Sequence, residues 1–241
     1  MSAWKHIKKF KEIKSREFFY KFNIQGKVMN IEHIAPADIE KRSFEIITKE
    51  LEAMNVILPE DKAFLIKRAI HTTADFDYAG SLVFSESAVS IMAELIREGA
   101  TIVTDTNMGL SGINKTELAM YGAKAVCFMA DKDVAKEAEE KRVTRAQISM
   151  QRASMMGGRT IFVIGNAPTA LIRLREMYDE NIFRPDFIIG VPVGFVNVEV
   201  SKELIMETDI PYIINRGRKG GSNVAAAICN AVLYEMKKGT L

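Results

Sequence analysis

The sequence predicts an α/β fold: a single three-layer domain with a mostly parallel sheet flanked by helices, Rossmann-like but without the dinucleotide fingerprint. From residue 100 onward, short β-rich runs alternate with stretches long enough for crossover helices. A length of 241 residues also suits one domain. The runs are ATIVTDT, KAVCFMA, RTIFVIGN, DFIIGVPVGF and PYIINRG. We therefore expect one domain over residues 31–241, preceded by a basic extension at residues 1–30.

The N-terminal extension concentrates positive charge. Residues 1–30 hold seven Lys and one Arg against two Glu, a balance of +6, which leaves −4 for the rest of a chain whose net charge is +2. The apolar positions 4, 7, 10 and 13 step by three and drift around a helix, so they make a poor amphipathic face. Two interpretations stay open. The segment docks on its own domain or on a partner, which we favour, or it binds a membrane surface or nucleic acid.

The first helix is predicted after Pro36, within IEHIAPADIEKRSFEII. Proline is accepted in the first turn of a helix, and Ile39, Phe44 and Ile47 follow at helical spacing.

The second helix is predicted within LPEDKAFLIKRAIH. Pro59 suits a first helical turn, and the acidic residues after it complement the helix dipole. Arg68 and His71 lie three residues apart and therefore share one face. A fixed cation is thus expected beside a titratable imidazole.

Composition argues against several classes of protein. No apolar run approaches the roughly 20 residues needed to cross a bilayer, and no signal-peptide pattern follows the N-terminal charges. Cys127 and Cys229 fall in apolar runs and lack His or Cys neighbours at ligand spacing, which disfavours a disulfide or a protein-bound metal. We expect a cytoplasmic protein without a metal site, membrane insertion or a nucleic-acid partner.

Polar residues and glycines gather where the predicted strands end. In a parallel sheet these ends meet at one edge, where ligands bind. Two of the ends open onto helices: in IGNAPTAL, Asn166 is expected to cap a helix that Pro168 begins, and in RGRKGGSNVAAAI, Ser222 stands at a helix start. Free backbone N–H groups at such starts attract anions.

The glycine loop GRKGGSN raises the question of nucleotide binding. It matches neither G-x-x-x-x-G-K-[ST] nor a G-x-G-x-x-G after the first strand, which disfavours a nucleotide-binding loop. Two interpretations remain: anion binding by Arg216, Arg218 and the helix start, or plain turn chemistry.

The stretch AIHTTADFDYAG is either a solvated helix end or the edge of a site. Thr72 follows His71 directly, and the threonine either binds a ligand or ends the helix. The charged run DKDVAKEAEEKRVTRAQ is interpreted as a solvated helix face, with Arg145 as an exception where that helix turns toward the core. The residues alone indicate an α/β protein with anion sites around a groove and one candidate acid-base histidine.

Several motifs together resemble the precorrin-8X methylmutase family of corrinoid biosynthesis. They are IEKRSFEII, RAIHTTADFDY, IGNAPTAL, IGVPVGFVNVEVSKE and IINRGRKGGSNVAAAICNA, in the family's order over roughly residues 35 to 235. The resemblance implies a homodimer, with the pigment near the subunit interface, that needs no cofactor. It also implies an isomerase that moves a methyl group from C-11 to C-12 of precorrin-8X or cobalt-precorrin-8, giving hydrogenobyrinate or cobyrinate.

The resemblance further implies a set of site residues. The family's acid-base histidine falls on His71, and its substrate-contacting serine and arginine fall on Ser43 and Arg68. A substrate with several carboxylates around an apolar ring calls for arginines and helix starts at the rim of its site. The substrate-binding residues expected in this chain are Ser43, Arg68, Thr72, Arg145, Asn166, Arg216 and Ser222. A non-catalytic corrinoid carrier and a nucleotide-dependent α/β enzyme are the alternatives.

Overall fold

The structure is a computed structural model that describes residues 8–14, 17–24 and 27–241, with side chains from residue 31 onward. The chain divides into two compact units, Met1–Glu50 and Leu51–Leu241. The domain boundary expected between residues 30 and 31 stays a prediction. Trp4 of the basic extension lies outside the described residues, and so do the side chains by which the extension is expected to dock.

The first unit contains an antiparallel three-stranded sheet and the start of a helix. Its strands are β1 (Lys8–Lys14), β2 (Glu17–Ile24) and β3 (Lys27–His33), with β2 in the middle. A 3-10 turn at Pro36–Asp38 leads into α1 (Ile39–Ala53), which confirms the helix predicted after Pro36. Arg42 on α1 pairs with Glu32 on β3, with 2.9 Å between Nε and Oε1.

The second unit is built on a six-stranded sheet. Its strands are β4 (Leu82–Phe84), β5 (Thr101–Thr104), β6 (Lys124–Val126), β7 (Thr160–Ile164), β8 (Phe187–Gly190) and β9 (Tyr212–Asn215). Their order is β4-β9-β8-β7-β5-β6, and every pair is parallel except β4 with β9. The five runs predicted as strands are β5 to β9, which confirms the α/β fold with a mostly parallel sheet.

Helices cover both faces of this sheet. They are α2 (Ala63–Thr73), α3 (Tyr78–Ser81), α4 (Ala88–Arg97), α5 (Asn107–Gly112), α6 (Lys115–Ala119), α7 (Lys132–Lys141), α8 (Arg145–Ser154), α9 (Pro168–Asp179), α10 (Val198–Met206) and α11 (Ser222–Lys238). On one face α11 packs against β7 and β8 and is flanked by α2, α4 and α5. On the other face α9 packs between α8 and α10.

The central strand β7 shows why the sheet is covered on both sides. All five residues of its sequence TIFVI are buried, as expected for a parallel strand between two helical layers. Phe162 and Ile164 pack into the cluster that α8, α9 and α10 supply. Because side chains alternate along a strand, Ile161 and Val163 point to the α11 face.

The prediction that Pro59 lies in the first turn of the second helix is wrong. Helix α2 begins at Ala63, and residues 60–62 form a turn in which the Lys62 amide donates to the Pro59 carbonyl at 3.1 Å. Proline and acidic residues suit such a turn as well as a helix start, so the sequence pattern does not separate the two structures.

No helix in the described part of the chain combines the length and the apolar character that a membrane crossing requires.

Replacing Phe162 with Ala is expected to lower the free energy of unfolding by about 3–5 kcal/mol, because the ring is fully buried and its loss leaves a cavity. The same replacement at Phe195, whose side chain is 83% exposed, should cost less than about 1 kcal/mol. Urea denaturation of both variants measures the difference. Equal losses would show that the core described around β7 does not carry the stability.

Candidate functional site

The carboxyl ends of the parallel strands form one edge of the sheet, which we call the carboxyl-end rim. It consists of residues 105–107 after β5, 165–167 after β7, 191–197 after β8 and 216–221 after β9. Strand β4 runs the opposite way, so its first residues also lie at this edge, where Leu82 pairs with Asn215. The rim therefore collects the polar strand ends and the turn that precedes β4.

Asp105 joins two of these loops. Its carboxylate is 1% exposed and accepts hydrogen bonds from the amides of Gly165, Asn166 and Ala167 at 2.9, 2.8 and 2.6 Å. Burial raises the pKa of Asp105, and the three amide donors act against that shift. The carboxylate thus supplies, from a neighbouring strand, acceptors for the three amides that precede α9.

The expectation that the Asn166 side chain caps α9 is wrong. Ala167 is the N-cap residue and no side chain caps it, while Pro168 occupies the first helical position as predicted. The Asp105 carboxylate accepts from the amides of Gly165, Asn166 and Ala167, which precede the first helical residue, so Asn166 takes part through its backbone. Residue Asn166 is exposed at the rim.

Ser222 begins α11 and is buried beside β5. Its hydroxyl lies 2.7 Å from that of Thr106, which also accepts from the Gly109 amide at 2.9 Å and so caps α5. The start of α11 lies close to the loop after β7, because a Cβ added to Gly165 would come within 2.5 Å of the Ser222 Cα. The hydroxyl of Ser222 is used inside the protein, whereas the first amides of α11 lack a side-chain cap.

The glycine loop, residues 216–221, is held against the loop after β8. The Gly221 amide donates to the Val191 carbonyl at 2.9 Å, and the Gly194 amide donates to the Arg218 carbonyl at 3.1 Å. At Gly220, with φ of +157°, a Cβ would lie 2.0 Å from the Val191 carbonyl oxygen. Only glycine fits at position 220, and Gly221, with φ of +137°, also has a conformation that favours glycine.

Lys219 connects this loop to the end of α2. Its ammonium lies 2.6 Å from an Asp75 oxygen and 2.5 Å from an Asp77 oxygen, on the turn that follows the helix. The ammonium lowers the pKa of Asp75, and the two carboxylates raise the pKa of Lys219. The same turn is also fixed through Ser81, whose hydroxyl donates to the Asn215 side chain at 2.7 Å.

His71 lies in the last turn of α2, directly before the turn that Lys219 holds. The helix ends where Ala74 adopts the left-handed conformation, with φ of 54°. His71 is exposed, and Arg68 is half-buried with its guanidinium 5.6 Å from the centre of the Tyr234 ring. Thr72 donates its hydroxyl hydrogen to the Arg68 carbonyl at 2.8 Å, so its hydroxyl is anchored to the helix.

The remaining predicted residues lie at three places. Arg145 is exposed at the start of α8, next to Thr144, whose hydroxyl donates to that of Thr169 at 2.9 Å near the start of α9. Arg216 is exposed on the glycine loop, with its Nε 3.5 Å from Glu203. Ser43 lies on α1 in the first unit, where its hydroxyl donates to the Ile39 carbonyl at 2.9 Å.

An apolar surface borders the charged part of the rim. In the loop after β8, Phe195 is 83% and Val196 79% exposed. The Arg218 guanidinium lies 5.5 Å from the centre of the Phe195 ring and pairs with Glu199 at 2.7 Å. An apolar surface beside cations is suited to a ligand that is apolar in its body and anionic at its edge.

Lys202 is a residue that the sequence analysis missed. Its side chain is fully buried on α10, and its ammonium donates to the carbonyls of Gly217 and Lys219 at 2.7 and 3.0 Å. Burial lowers its pKa to about 8. The sequence did carry a signal, because Val198 and Ile205 repeat at helical spacing around Lys202 and place it on the apolar face of the helix.

Among the described residues, no group of three or more His, Cys, Asp or Glu side chains is arranged to hold a metal ion. Cys127 is half-buried and Cys229 buried, both as free thiols, and burial raises the pKa of Cys229 to about 12. The site is therefore characterised by an exposed imidazole, basic side chains and backbone donors. Such a set can exchange a proton and bind carboxylates.

Comparison with known proteins gives a consistent result. The family model for precorrin-8X methylmutase matches residues 38–235. The cobalt-precorrin-8 methylmutase of Leptospira interrogans is 40% identical over 209 residues, covering 83% of this chain and 94% of that protein. The protein of the same name from Salmonella typhimurium is 41% identical over 208 residues, covering 84% and 97%.

A solved structure is also similar. The precorrin-8X methylmutase of Thermus thermophilus superposes with a TM-score of 0.76 at 33% identity, covering 85% of this chain and all of that one.

Replacing Asp105 with Asn is expected to lower the free energy of unfolding by about 2 kcal/mol, because an amide group cannot accept from three donors and carries no charge. Urea denaturation at pH 7 measures the loss. Asp61→Asn is the matched control, since that side chain is 71% exposed, and it should change stability by less than about 0.5 kcal/mol. A loss at Asp105 no larger than at Asp61 would contradict the role of the carboxylate.

Proposed function

The chain belongs to the precorrin-8X methylmutase family, and we propose that its carboxyl-end rim binds the tetrapyrrole and that His71 is its acid-base residue. The activity is that of an isomerase in corrinoid biosynthesis. It moves a methyl group from C-11 to C-12 of precorrin-8X or cobalt-precorrin-8 and gives hydrogenobyrinate or cobyrinate.

The chemistry explains why an imidazole is useful. The methyl group migrates within a conjugated system, and a proton added to that system makes the carbon that receives the methyl group more electron-poor. The same proton has to be removed afterwards. Imidazole gives and recovers a proton near neutral pH, and His71 is exposed where a ligand at the rim can meet it.

The cationic groups match the periphery of the substrate. Its acetate and propionate arms carry carboxylates that we assign to Arg68, Arg145, Arg216 and the amides at the starts of α9 and α11. The hydroxyls of Ser43, Thr72 and Ser222 donate or accept within the protein and retain lone pairs for a ligand donor. The exposed side chains of Phe195 and Val196 offer an apolar surface for the ring.

The observation that carries this assignment is the pair of contacts from Lys219 to Asp75 and Asp77. They attach the end of α2, which bears His71, to the glycine loop, which bears Arg216. The acid-base group and an anion-binding loop are thereby parts of one connected structure. This is the arrangement that a proton transfer to a polycarboxylate ring requires.

His71→Ala is expected to abolish turnover while hydrogenobyrinate still binds, because the replacement removes the proton carrier and leaves the cationic groups. Visible spectra of the protein mixed with precorrin-8X, and separately with cobalt-precorrin-8, follow conversion to the corrin chromophore. We expect at least a roughly 100-fold loss of kcat, the usual contribution of a general acid or base. His33→Ala, at an exposed histidine of the first unit, is the control and should keep the wild-type rate.

Two results would contradict the proposal. Wild-type turnover by His71→Ala would remove the acid-base role. A wild-type protein that binds the pigment and leaves its spectrum unchanged would be a carrier instead of an enzyme.

We also propose that the protein is a homodimer with the pigment near the subunit interface. The support is the open character of the rim, where large apolar side chains such as Phe195 and Val196 are exposed beside charged groups. A second subunit would cover this surface and exclude water from the ring.

Sedimentation equilibrium of the full chain should give about 54 kDa, twice the 27.0 kDa of one chain. The mass is expected to stay close to this value from about 100 μM down to about 10 μM, since an interface of ordinary size binds with a Kd of about 1 μM or lower. A mass of one chain over that interval would contradict the dimer.

A cytoplasmic location and the absence of a cofactor complete the proposal. The support for the location is the pair of free thiols at Cys127 and Cys229, which suits a reducing compartment. An isomerisation needs no redox partner, and a proton carrier with carboxylate-binding groups suffices for it.

A further inference from the structure

Lys202 is a buried lysine whose partners are all backbone carbonyls. Its ammonium donates to Gly217 at 2.7 Å and to Lys219 at 3.0 Å, and both acceptors belong to the glycine loop. The side chain of Asn215 reinforces the same geometry, because its amide donates to the Lys219 carbonyl at 2.9 Å. Two side chains thus pull the carbonyls of this loop toward the protein interior.

The direction of the carbonyls fixes the direction of the amides. In a planar trans peptide the C=O of one residue and the N–H of the next point in opposite directions. With the carbonyls of Gly217 and Lys219 turned inward, the amides of Arg218 and Gly220 point away from Lys202. Neither amide donates to an acceptor within the described residues. Two N–H groups of one loop that are turned outward can together bind an anion.

Stability alone does not account for this lysine. A fully buried ammonium has lost its hydration, and two carbonyl acceptors do not replace an opposite charge. Glu199, one turn earlier on α10, pairs with Arg218 instead of Lys202. An apolar side chain at this position would avoid the cost of burial, but the Gly217 carbonyl would lose the donor that fixes its direction, while the Lys219 carbonyl would keep the bond from Asn215.

We propose that Lys202 is a positioning residue of the methylmutase: it holds the glycine loop with the amides of Arg218 and Gly220 facing the ligand, where they receive a substrate carboxylate. This role rests on the proposed function of the rim. The lysine touches neither the ring nor the reacting atoms. It acts through the backbone of the loop and adds a positive charge beneath it.

Lys202→Met is expected to weaken the binding of hydrogenobyrinate about tenfold, since the variant removes the donor and the charge while nearly preserving the volume. Absorbance titration at 25 °C and pH 7 gives the Kd. The KM for precorrin-8X should rise by a similar factor, and kcat should change by less than about threefold, because His71 is untouched. The split between KM and kcat separates positioning from catalysis.

Ile205→Val is the matched control. It lies on the same helix, is fully buried, and faces the core instead of the loop. The substitution lowers stability modestly, and it should leave Kd and KM within about twofold of wild type. If Ile205→Val weakens binding as much as Lys202→Met, or if Lys202→Met binds like wild type, Lys202 has no positioning role.

A second experiment measures how the Kd of the wild-type protein, which keeps Lys202, depends on pH. Because the pKa of Lys202 is lowered to about 8, its charge is lost as the pH rises from 7 to 9.5, and the Kd of wild type should increase by about threefold. Carboxylates and guanidinium groups titrate outside this interval. The charged residues of the loop and their ion-pair partners are Asp75, Asp77, Glu199, Glu203, Arg216 and Arg218, and pairing with two carboxylates raises the pKa of Lys219.

His71→Ala should show the same increase in Kd, which excludes the imidazole as its source. A wild-type Kd that stays constant from pH 7 to 9.5 would overturn the proposal even if Lys202→Met does not fold. A wild type that binds no hydrogenobyrinate at any pH would instead overturn the proposed function itself.

Discussion

The rim depends on one buried carboxylate. Asp105 follows β5, and its two oxygens accept from three consecutive amides after β7, so the neighbouring strand ends are held in a fixed relation. The bonds hold the three residues that precede α9, a helix without a side-chain cap, and Asn166 itself is exposed. Thr106, the next residue, extends the connection to Ser222 and therefore to α11. Residues 105 and 106 thus fix the positions at which α9 and α11 begin.

The rest of the rim is held by the ammonium groups of two lysines. Lys202 takes loop carbonyls as its partners, and Lys219 takes the two carboxylates after α2. Each contact fixes a segment that has no regular structure of its own. A site for a large, flat, multiply charged ligand needs such fixed loops, because every carboxylate arm has to meet a donor at the same time.

The sequence predicted those features that depend on residues close together along the chain. The runs that form β5 to β9 are rich in β-branched residues and are bounded by polar strand ends, so the sheet and the polar residues along its carboxyl edge were predictable. Strand β4 was missed because its three residues, LVF, are too few to show the alternation of apolar and polar side chains that marks a strand. Lys202 and the pairing of Lys219 with Asp75 were missed because they join segments far apart in sequence. Pro59 and Asn166 were misassigned because a turn and a helix start favour the same residue types.

The antiparallel edge strand has a consequence for how the protein is made. Leu82 pairs with Asn215, and Lys219 reaches back to Asp75, so the histidine-bearing corner closes only when residues near the end of the chain are present. Closing a loop of that length is entropically costly and slow compared with local contacts. During synthesis on the ribosome, the helix that carries His71 is made before the residues that contact this corner, Asn215 and Lys219. The contacts that hold the end of α2 therefore form late in folding, and a chain that ends before Lys219 lacks them.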